Sequence, residues 1–203
     1  MTNKFQKYSK FLATGLVAAM VFSLNFTNFS KTLKAPEASA AAVDYYLQID
    51  GIDGESTDEQ HRNQIEILSF SWGASNPGIT NQSYGAGSGG GAGKATFQDI
   101  HFTASASKAS PKLMLAAATG QHIKEAKLFV RKSGERQQDF YKIELRDVLV
   151  SSYQAAGNGG TVPTDSFSLN FTKIQFEYTP QASDGTLESP VKAGYDVKAN
   201  KKI

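Results

Sequence analysis

Alternating apolar and polar positions dominate the chain after residue 42 and predict β-strands. Runs rich in β-branched and aromatic residues, bounded by Gly, Pro, Asn or Ser, are typical of strands. The predicted strands are residues 43–50, 64–75, 94–104, 123–132, 139–153, 165–178 and a short 194–199. The pattern therefore predicts a mainly β protein.

The parity of the apolar positions assigns side chains to faces, because successive side chains of a strand point to opposite sides. In residues 64–75 one face is predicted to carry Glu66, Leu68, Phe70 and Trp72. The opposite face is predicted to carry Ile65, Ile67, Ser69 and Ser71. In residues 165–178 the apolar parity changes after Phe171, and two explanations stay open: a bulge near Thr172, or burial of both faces.

One short helix interrupts the strands. Ser110 suits the N-cap and Pro111 the first helical position, strong helix formers follow at residues 112–118, and Gly120 supplies the stop. About two turns can close one end of a barrel or flank a sheet. The prediction is a compact β-barrel of two antiparallel sheets with one short flanking α-helix, or a sandwich.

The first forty residues have the layout of a secretory signal peptide. Three lysines in the first ten residues precede an apolar run at residues 11–24, and Ala38-Ser39-Ala40 supplies small residues at the end. The alternative, an uncleaved anchor, is disfavoured because the run is shorter than the roughly 20 residues that span a bilayer. Residues 1–40 are predicted to be a leader, and residues 41–203 one domain.

Composition and charge narrow the function classes. The chain carries a net charge of +2, and loss of residues 1–40 would remove five lysines and one glutamate, which leaves −2. That balance is too even for a protein that binds nucleic acid. The absence of cysteine excludes disulfides, thiolate metal sites and cysteine nucleophiles.

Individual residues offer no catalytic or metal-binding arrangement. The three histidines are well separated; His61 is predicted to be solvated and His101 to be packed or hydrogen-bonded on a strand, while Trp72 is predicted to be core. The acidic, glycine-containing segment 50–55 is typical of a turn and lacks calcium-loop spacing. No enzyme, cofactor or metal is predicted.

Two further segments stand out by composition. The glycine-rich loop at residues 79–93 is longer than compact domains usually contain, and such loops are functional or disordered. It formally contains a G-x-G-x-x-G pattern, but a predicted strand follows where a dinucleotide site needs a helix. The polar tail at residues 181–203 is predicted to dock on the surface.

A set of short motifs runs in order through residues 42–200. They lie at residues 43–49, 51–56, 65–73, 90–94, 97–100, 110–114, 126–132, 149–152 and 176–178. As an ordered set they resemble the haemolysin-coregulated protein (Hcp) family, the inner-tube subunit of bacterial type VI secretion systems.

The resemblance implies a β-barrel of which six copies close into a ring. Rings stack into a hollow tube that carries effector proteins and is expelled by a contracting sheath. The implied partners are other copies of the chain, effector cargo, and spike and sheath proteins, with no nucleic acid, no cofactor, no catalysis and no stable membrane insertion once the leader is removed. The alternative is a secreted monomeric β-sandwich that binds a carbohydrate or protein ligand.

The implied assembly suggests roles for two groups of residues. The loop from about Asn76 to Gly93 is predicted to mediate ring stacking; its candidates are Asn76, Tyr84, Gly89, Gly90, Gly91 and Gly93. Ser69 and Ser71 are predicted to face the lumen, where small polar side chains avoid gripping cargo too tightly.

The leader fits this family poorly, because its members are loaded from the cytoplasm without one. The expected location is therefore extracellular, or cytoplasmic before export if the leader does not function.

Overall fold

The structure is a computed structural model that describes residues 43–76, 94–133 and 137–203. The predicted leader lies outside the described residues. So do most of the loop candidates, namely Tyr84, Gly89, Gly90, Gly91 and Gly93. No helix in the described ranges is long and apolar enough to cross a membrane.

Strands account for most of the described chain. They are β1 (Val43–Ile49), β2 (Ile65–Ser71), β3 (Ala74–Ser75), β4 (Thr96–Phe97), β5 (Ile100–Ser105), β6 (His122–Lys132), β7 (Asp139–Ala156), β8 (Thr164–Tyr178), β9 (Val191–Asp196) and β10 (Lys201–Lys202). The helix α1 spans Ser110–Thr119. The predicted strand 94–104 is two strands, β4 and β5, because β4 pairs with β3 and β5 pairs with β2.

The larger sheet closes on itself. Antiparallel pairing runs in the order β8-β5-β2-β1-β6-β7, and β7 pairs again with β8 to complete a six-stranded barrel. β9 and β10 extend the sheet along the second half of β8, and β3 with β4 forms a separate two-stranded sheet. The predicted mainly β barrel with one helix is confirmed.

Inward side chains fill the barrel and α1 covers one end. Phe102 and Phe167 stack with ring centroids 5.4 Å apart, and both are almost completely buried. Full burial of such a side chain stabilises the fold by about 1.5–3 kcal/mol relative to exposure. On α1, Leu113 and Ala116 are buried against the core, while Lys112 reaches the carbonyl oxygen of Gly51 beyond the end of β1.

The start of α1 differs from the prediction. Ser110 is the first helical residue rather than the N-cap, and Ala109 occupies the cap position without a side-chain hydrogen bond. The Ser110 hydroxyl instead donates to the buried carboxylate of Asp165 on β8. Gly120 ends the helix with a left-handed φ of 65°, as predicted.

A bulge in β2 overturns the predicted faces of that strand. The pairing with β5 shifts between Ile67 and Ser69, so Leu68 is an extra residue and is exposed. After the bulge, Phe70 turns toward the core and the serines turn outward. The prediction that Ser69 and Ser71 share a face with Ile65 and Ile67 is therefore wrong.

The change of apolar parity in β8 arises from an irregularity that involves both β7 and β8. Asp147 in β7 has a left-handed φ of 50° and lies between the pairs Arg146–Lys173 and Val148–Phe171, opposite Thr172. Both strands skip one position there, because Leu145 and Val148 are both buried, as are Phe171 and Ile174. The irregularity lies where predicted, but it affects both strands, so their register is kept.

The C-terminal tail belongs partly to the sheet. Its strand is Val191–Asp196 rather than residues 194–199, and it pairs with the second half of β8. An isolated bridge joins Gln181 to Leu187 ahead of it.

Candidate functional site

The outward positions of β2, β5, β8 and β7 carry polar side chains other than acids, lysine and arginine, and all of them are exposed or half-buried except Ser168, which is buried. In the first row across these strands, each residue lies opposite the next: Ser71, His101, Ser168 and Ser152. The second row is Ser69, Thr103, Ser166 and Gln154. These eight residues are called the neutral face, since none of them is an acid, a lysine or an arginine.

Ser69 and Ser71 therefore lie on one polar surface, and their prediction on a common face holds. They do not share that surface with Ile65 and Ile67, contrary to the prediction. His101 is exposed on the same surface rather than packed, which corrects its prediction. Sequence reasoning missed the other members. The alternation of apolar residues with Ser, Thr and Asn in β5 and the first half of β8 was the available signal.

A hydrogen-bonded cluster lies along one border of the neutral face. The hydroxyl of Ser151 donates to Asp99 Oδ2 at 2.5 Å, and the side-chain amide of Asn170 donates to Asp99 Oδ1 at 2.7 Å. The Ser168 hydroxyl contacts those of Ser151 and Ser152 at 2.8 and 2.5 Å. Asp99 is thus held by two neutral partners.

The outer surface of β6, β7, the second half of β8 and β9 has the opposite character. Its ion pairs join neighbouring strands or neighbours on one strand: Arg146–Glu144 at 2.6 Å, Lys127–Glu125 at 2.5 Å, Lys192–Glu177 at 2.8 Å and Lys173–Asp196 at 3.3 Å. The hydrogen bond from Lys127 lowers the pKa of Glu125 below its ordinary value. This surface is called the charged face. Apart from Asp196, which is buried, the side chains of these pairs are exposed or half-buried. Surface pairs stabilise a fold by only about 0–1 kcal/mol each, so the pattern mainly sets the charge of the surface.

A buried polar cluster includes His61 and Asp58, which belong to the segment between β1 and β2. His61 is only 3% exposed, which corrects the prediction of a solvated histidine. Its ring stacks on Tyr46 at 4.5 Å, and its Nε2 lies 3.0 Å from Asp139. Nearby, Arg131 pairs with Asp58 at 2.8 Å.

Trp72 is half-buried rather than fully core. It lines an apolar cleft of about 260 Å³ together with Phe97, Ile174, Phe176, Ala193, Gly194 and Tyr195. Its indole nitrogen donates to the Tyr141 hydroxyl at 3.4 Å. Asn76, the described member of the loop candidates, is exposed one residue after β3.

Comparison with known proteins decides the family. A family model described as type VI secretion system effector, Hcp, matches residues 46–178. The chain belongs to the Hcp family. The hcp1 protein of Pseudomonas aeruginosa is 42% identical over 162 residues, which cover 78% of this chain and 98% of that protein.

Solved structures agree with the Hcp assignment. A type six secretion system protein superposes with a TM-score of 0.73 at 33% identity, and the match covers 80% of this chain and all of that one. Hcp1 from Salmonella typhimurium gives a TM-score of 0.63 at 32% identity, covering 80% of this chain and 99% of that one.

These relatives identify the chain as a tube subunit of type VI secretion, and the recognition made from the ordered motifs is confirmed. A monomeric secreted binding module is not favoured. The family is one of structural secretion components rather than of enzymes, and its members are secreted components of the type VI apparatus.

Proposed function

We propose that the chain closes into six-membered rings whose neutral faces line a central channel for effector proteins. The observation that carries this proposal is the separation of the neutral face from the charged face on one barrel. The neutral face lies across β2, β5 and one half of β7 and β8, and the charged face lies across β6, β9 and the other half of β7 and β8. A ring built from head-to-tail contacts presents the same face of every subunit to its axis. Six neutral faces would then form a continuous polar wall.

The chemistry of the two faces supports this orientation. Small hydroxyl side chains offer hydrogen bonds without large apolar patches or strong fields, so diverse cargo surfaces can pass or rest against them. The charged face has its charges arranged as pairs, which suits a surface in contact with water or with another protein of the apparatus. Sheath proteins are the proposed partners of the outside, and effectors those of the inside.

Adding a large charge to the neutral face tests the orientation. Ser71→Arg places one guanidinium per subunit, six per ring, on the proposed wall. Ser71 is exposed, so ring formation should be unchanged, while co-purification of effector with the rings should fall at least tenfold. The matched control is Ser183→Arg, which adds the same side chain to an exposed serine of the tail.

Light scattering would give the ring mass and pull-down the bound effector for both variants. A mass of one subunit for the unmodified chain would contradict the ring. Full effector retention by the Ser71→Arg rings would contradict the luminal position of Ser71.

The glycine-rich loop is proposed to join one ring to the next. The segments that flank it are a pair of short strands in which Ala74 lies opposite Phe97 and Ser75 opposite Thr96. Ordering the loop costs about 1–2 kcal/mol per residue of backbone entropy. Six copies of the loop contact in each ring would together offset the weakness of a single contact.

Deleting residues 83–91 should leave rings intact and abolish tubes. Because β3 and β4 on either side of the loop pair with each other, a shorter connection can join them. Electron micrographs of the purified variant should show single annuli where the parent chain forms tubes. Tubes of normal length from the shortened chain would refute the stacking role.

The leader at residues 1–40 is proposed to direct export. N-terminal sequencing of the protein recovered outside the cell tests this role. Cleavage near residue 40 is expected if the leader directs export, and an uncleaved N-terminus is expected if the type VI apparatus exports the chain.

A further inference from the structure

Asp99 places a carboxylate at the border of the neutral face, and its hydrogen-bond partners there are neutral side chains. It immediately precedes β5, and Ser151 and Asn170 hold its two oxygens at 2.5 and 2.7 Å. Among the described residues no lysine, arginine or histidine pairs with it, whereas Glu125, Glu144 and Glu177 on the charged face all have cations. Within residues 43–76, 94–133 and 137–203, the negative charge of Asp99 therefore has no paired cation.

The hydroxyl contacts next to Asp99 fix the direction of each hydrogen bond. A serine hydroxyl carries one proton, and that of Ser151 goes to Asp99. The contact between Ser151 and Ser168 then requires Ser168 to donate, and the contact between Ser168 and Ser152 requires Ser152 to donate. All three protons point along one chain toward the carboxylate, and such chains polarise cooperatively.

This arrangement leaves an excess of acceptors at the surface. The donor capacity of all three hydroxyls is used within the cluster. The lone pairs of exposed Ser152 and the second lone pairs of the Asp99 oxygens remain, as does the side-chain oxygen of Asn170. The amide nitrogen of Asn170 gives one N–H to Asp99 and keeps one, so acceptors still outnumber donors. The ligand that matches a negative charge surrounded by acceptors is a cation with several N–H donors.

We infer that Asp99, Ser151, Ser152 and Asn170, with the buried Ser168 hydrogen-bonded to the two serines, form an acceptor patch that binds lysine and arginine side chains of the cargo. This inference rests on the proposed luminal position of the neutral face. In a six-membered ring the patch recurs six times around the channel, so contacts that are weak singly combine. Among the cargo surfaces that the neutral face admits, the channel then holds basic ones more strongly.

Binding of charged peptides to the assembled full chain tests the patch. The probes are fluorescent hexa-arginine and hexaglutamate peptides, measured by anisotropy at low and at physiological salt. Hexa-arginine should bind, more weakly as salt rises, and hexaglutamate should not. Asp99→Asn, which keeps the side-chain shape, should weaken hexa-arginine binding about tenfold and flatten its salt dependence.

Two further variants control for general charge and for folding. Glu177→Gln removes one negative charge from the charged face and should leave binding within twofold of the parent. Ser152→Ala removes the outermost hydroxyl while Asp99 keeps its charge, so binding should weaken about threefold. An equal loss with Glu177→Gln and Asp99→Asn would overturn the patch, because net charge alone would then explain binding.

The same samples separate this inference from the proposed function. Asp99→Asn rings that bind hexa-arginine as tightly as the parent rings overturn the patch and leave the ring standing. A chain that stays monomeric, yet loses binding on Asp99→Asn, overturns the ring and supports the patch as a surface site. Failure of the parent chain to bind hexa-arginine overturns the patch whatever its assembly state.

Discussion

Replacing Gly54 with alanine is expected to lower the free energy of unfolding by about 3 kcal/mol, at the upper end of what overpacking costs. A Cβ atom at Gly54 would lie 2.3 Å from the carbonyl oxygen of Gln64 and 2.5 Å from Ile65 Cα. Both are backbone atoms at the start of β2. They cannot yield easily, because Gly54 donates to the Asn63 oxygen at 2.7 Å and Ser56 to the Gln64 oxygen at 3.0 Å.

Urea unfolding of the Gly54→Ala variant measures this loss. Gly159→Ala is the matched control, since a Cβ there meets no atom within 4 Å. Its effect should stay within about 0.5 kcal/mol, as for most open surface positions. Equal stabilities of the two variants would show that the segment between β1 and β2 is looser than the structure indicates.

Removing the carboxylate of Asp58 should cost about 3–5 kcal/mol, the usual range when one partner of a buried ion pair is lost. The side chain of Arg131 is 5% exposed and would keep its charge without a partner. The backbone amides of Gln60 and His61 would also lose their acceptor. Asp58→Ala therefore affects both the ion pair and the segment that covers it.

The double variant Asp58→Ala/Arg131→Met separates these two effects. It removes the stranded charge, so it should be more stable than Asp58→Ala alone. Thermal or chemical unfolding of the parent, both single variants and the double variant completes the cycle. A double variant as unstable as the sum of the two single changes would show that the pair is not coupled.

The Asp58–Arg131 pair predicts that the stability of the fold decreases at acid pH. Burial, the largest influence, raises the pKa of Asp58, but the hydrogen bonds from Gln60 and His61 and the charge of Arg131 outweigh it and hold the pKa below its ordinary value of 3.8. The stabilisation is therefore present above pH 3.8 and is lost as the pH falls through the lower folded value. The parent should lose stability in this range more steeply than the double variant.

Local patterns located most of the strands, because alternation and turn residues act over a few positions, and the ordered motifs carried the resemblance to the Hcp family. Local patterns did not show the division of residues 94–104 into β4 and β5. Local patterns were insufficient to predict the face on which Ser69 and Ser71 lie, because one extra residue at Leu68 moves every later side chain of the strand to the opposite face. They also misplaced His61. Its polar neighbours in sequence suggested water, whereas Tyr46 and Asp139, distant along the chain, enclose it.

The candidate site was only partly accessible from sequence. Two of the eight residues of the neutral face were singled out beforehand, and Asp99 was not. A strand shows which of its side chains share a face, but not which strand lies beside it. The rows that join β2, β5, β8 and β7, and the hydroxyl chain that ends at Asp99, arise from pairings between distant segments.

The amino-acid sequence by itself determined a mainly β chain with one helix, the glycine that ends that helix, and membership of the Hcp family. Tertiary structure alone decided which strands pair to close the barrel, the bulge at Leu68, the burial of His61 and the separation of neutral from charged surface. The physical reason is the separation along the chain over which each effect acts. Propensity and alternation act between neighbouring residues, whereas register and burial depend on which distant strands meet.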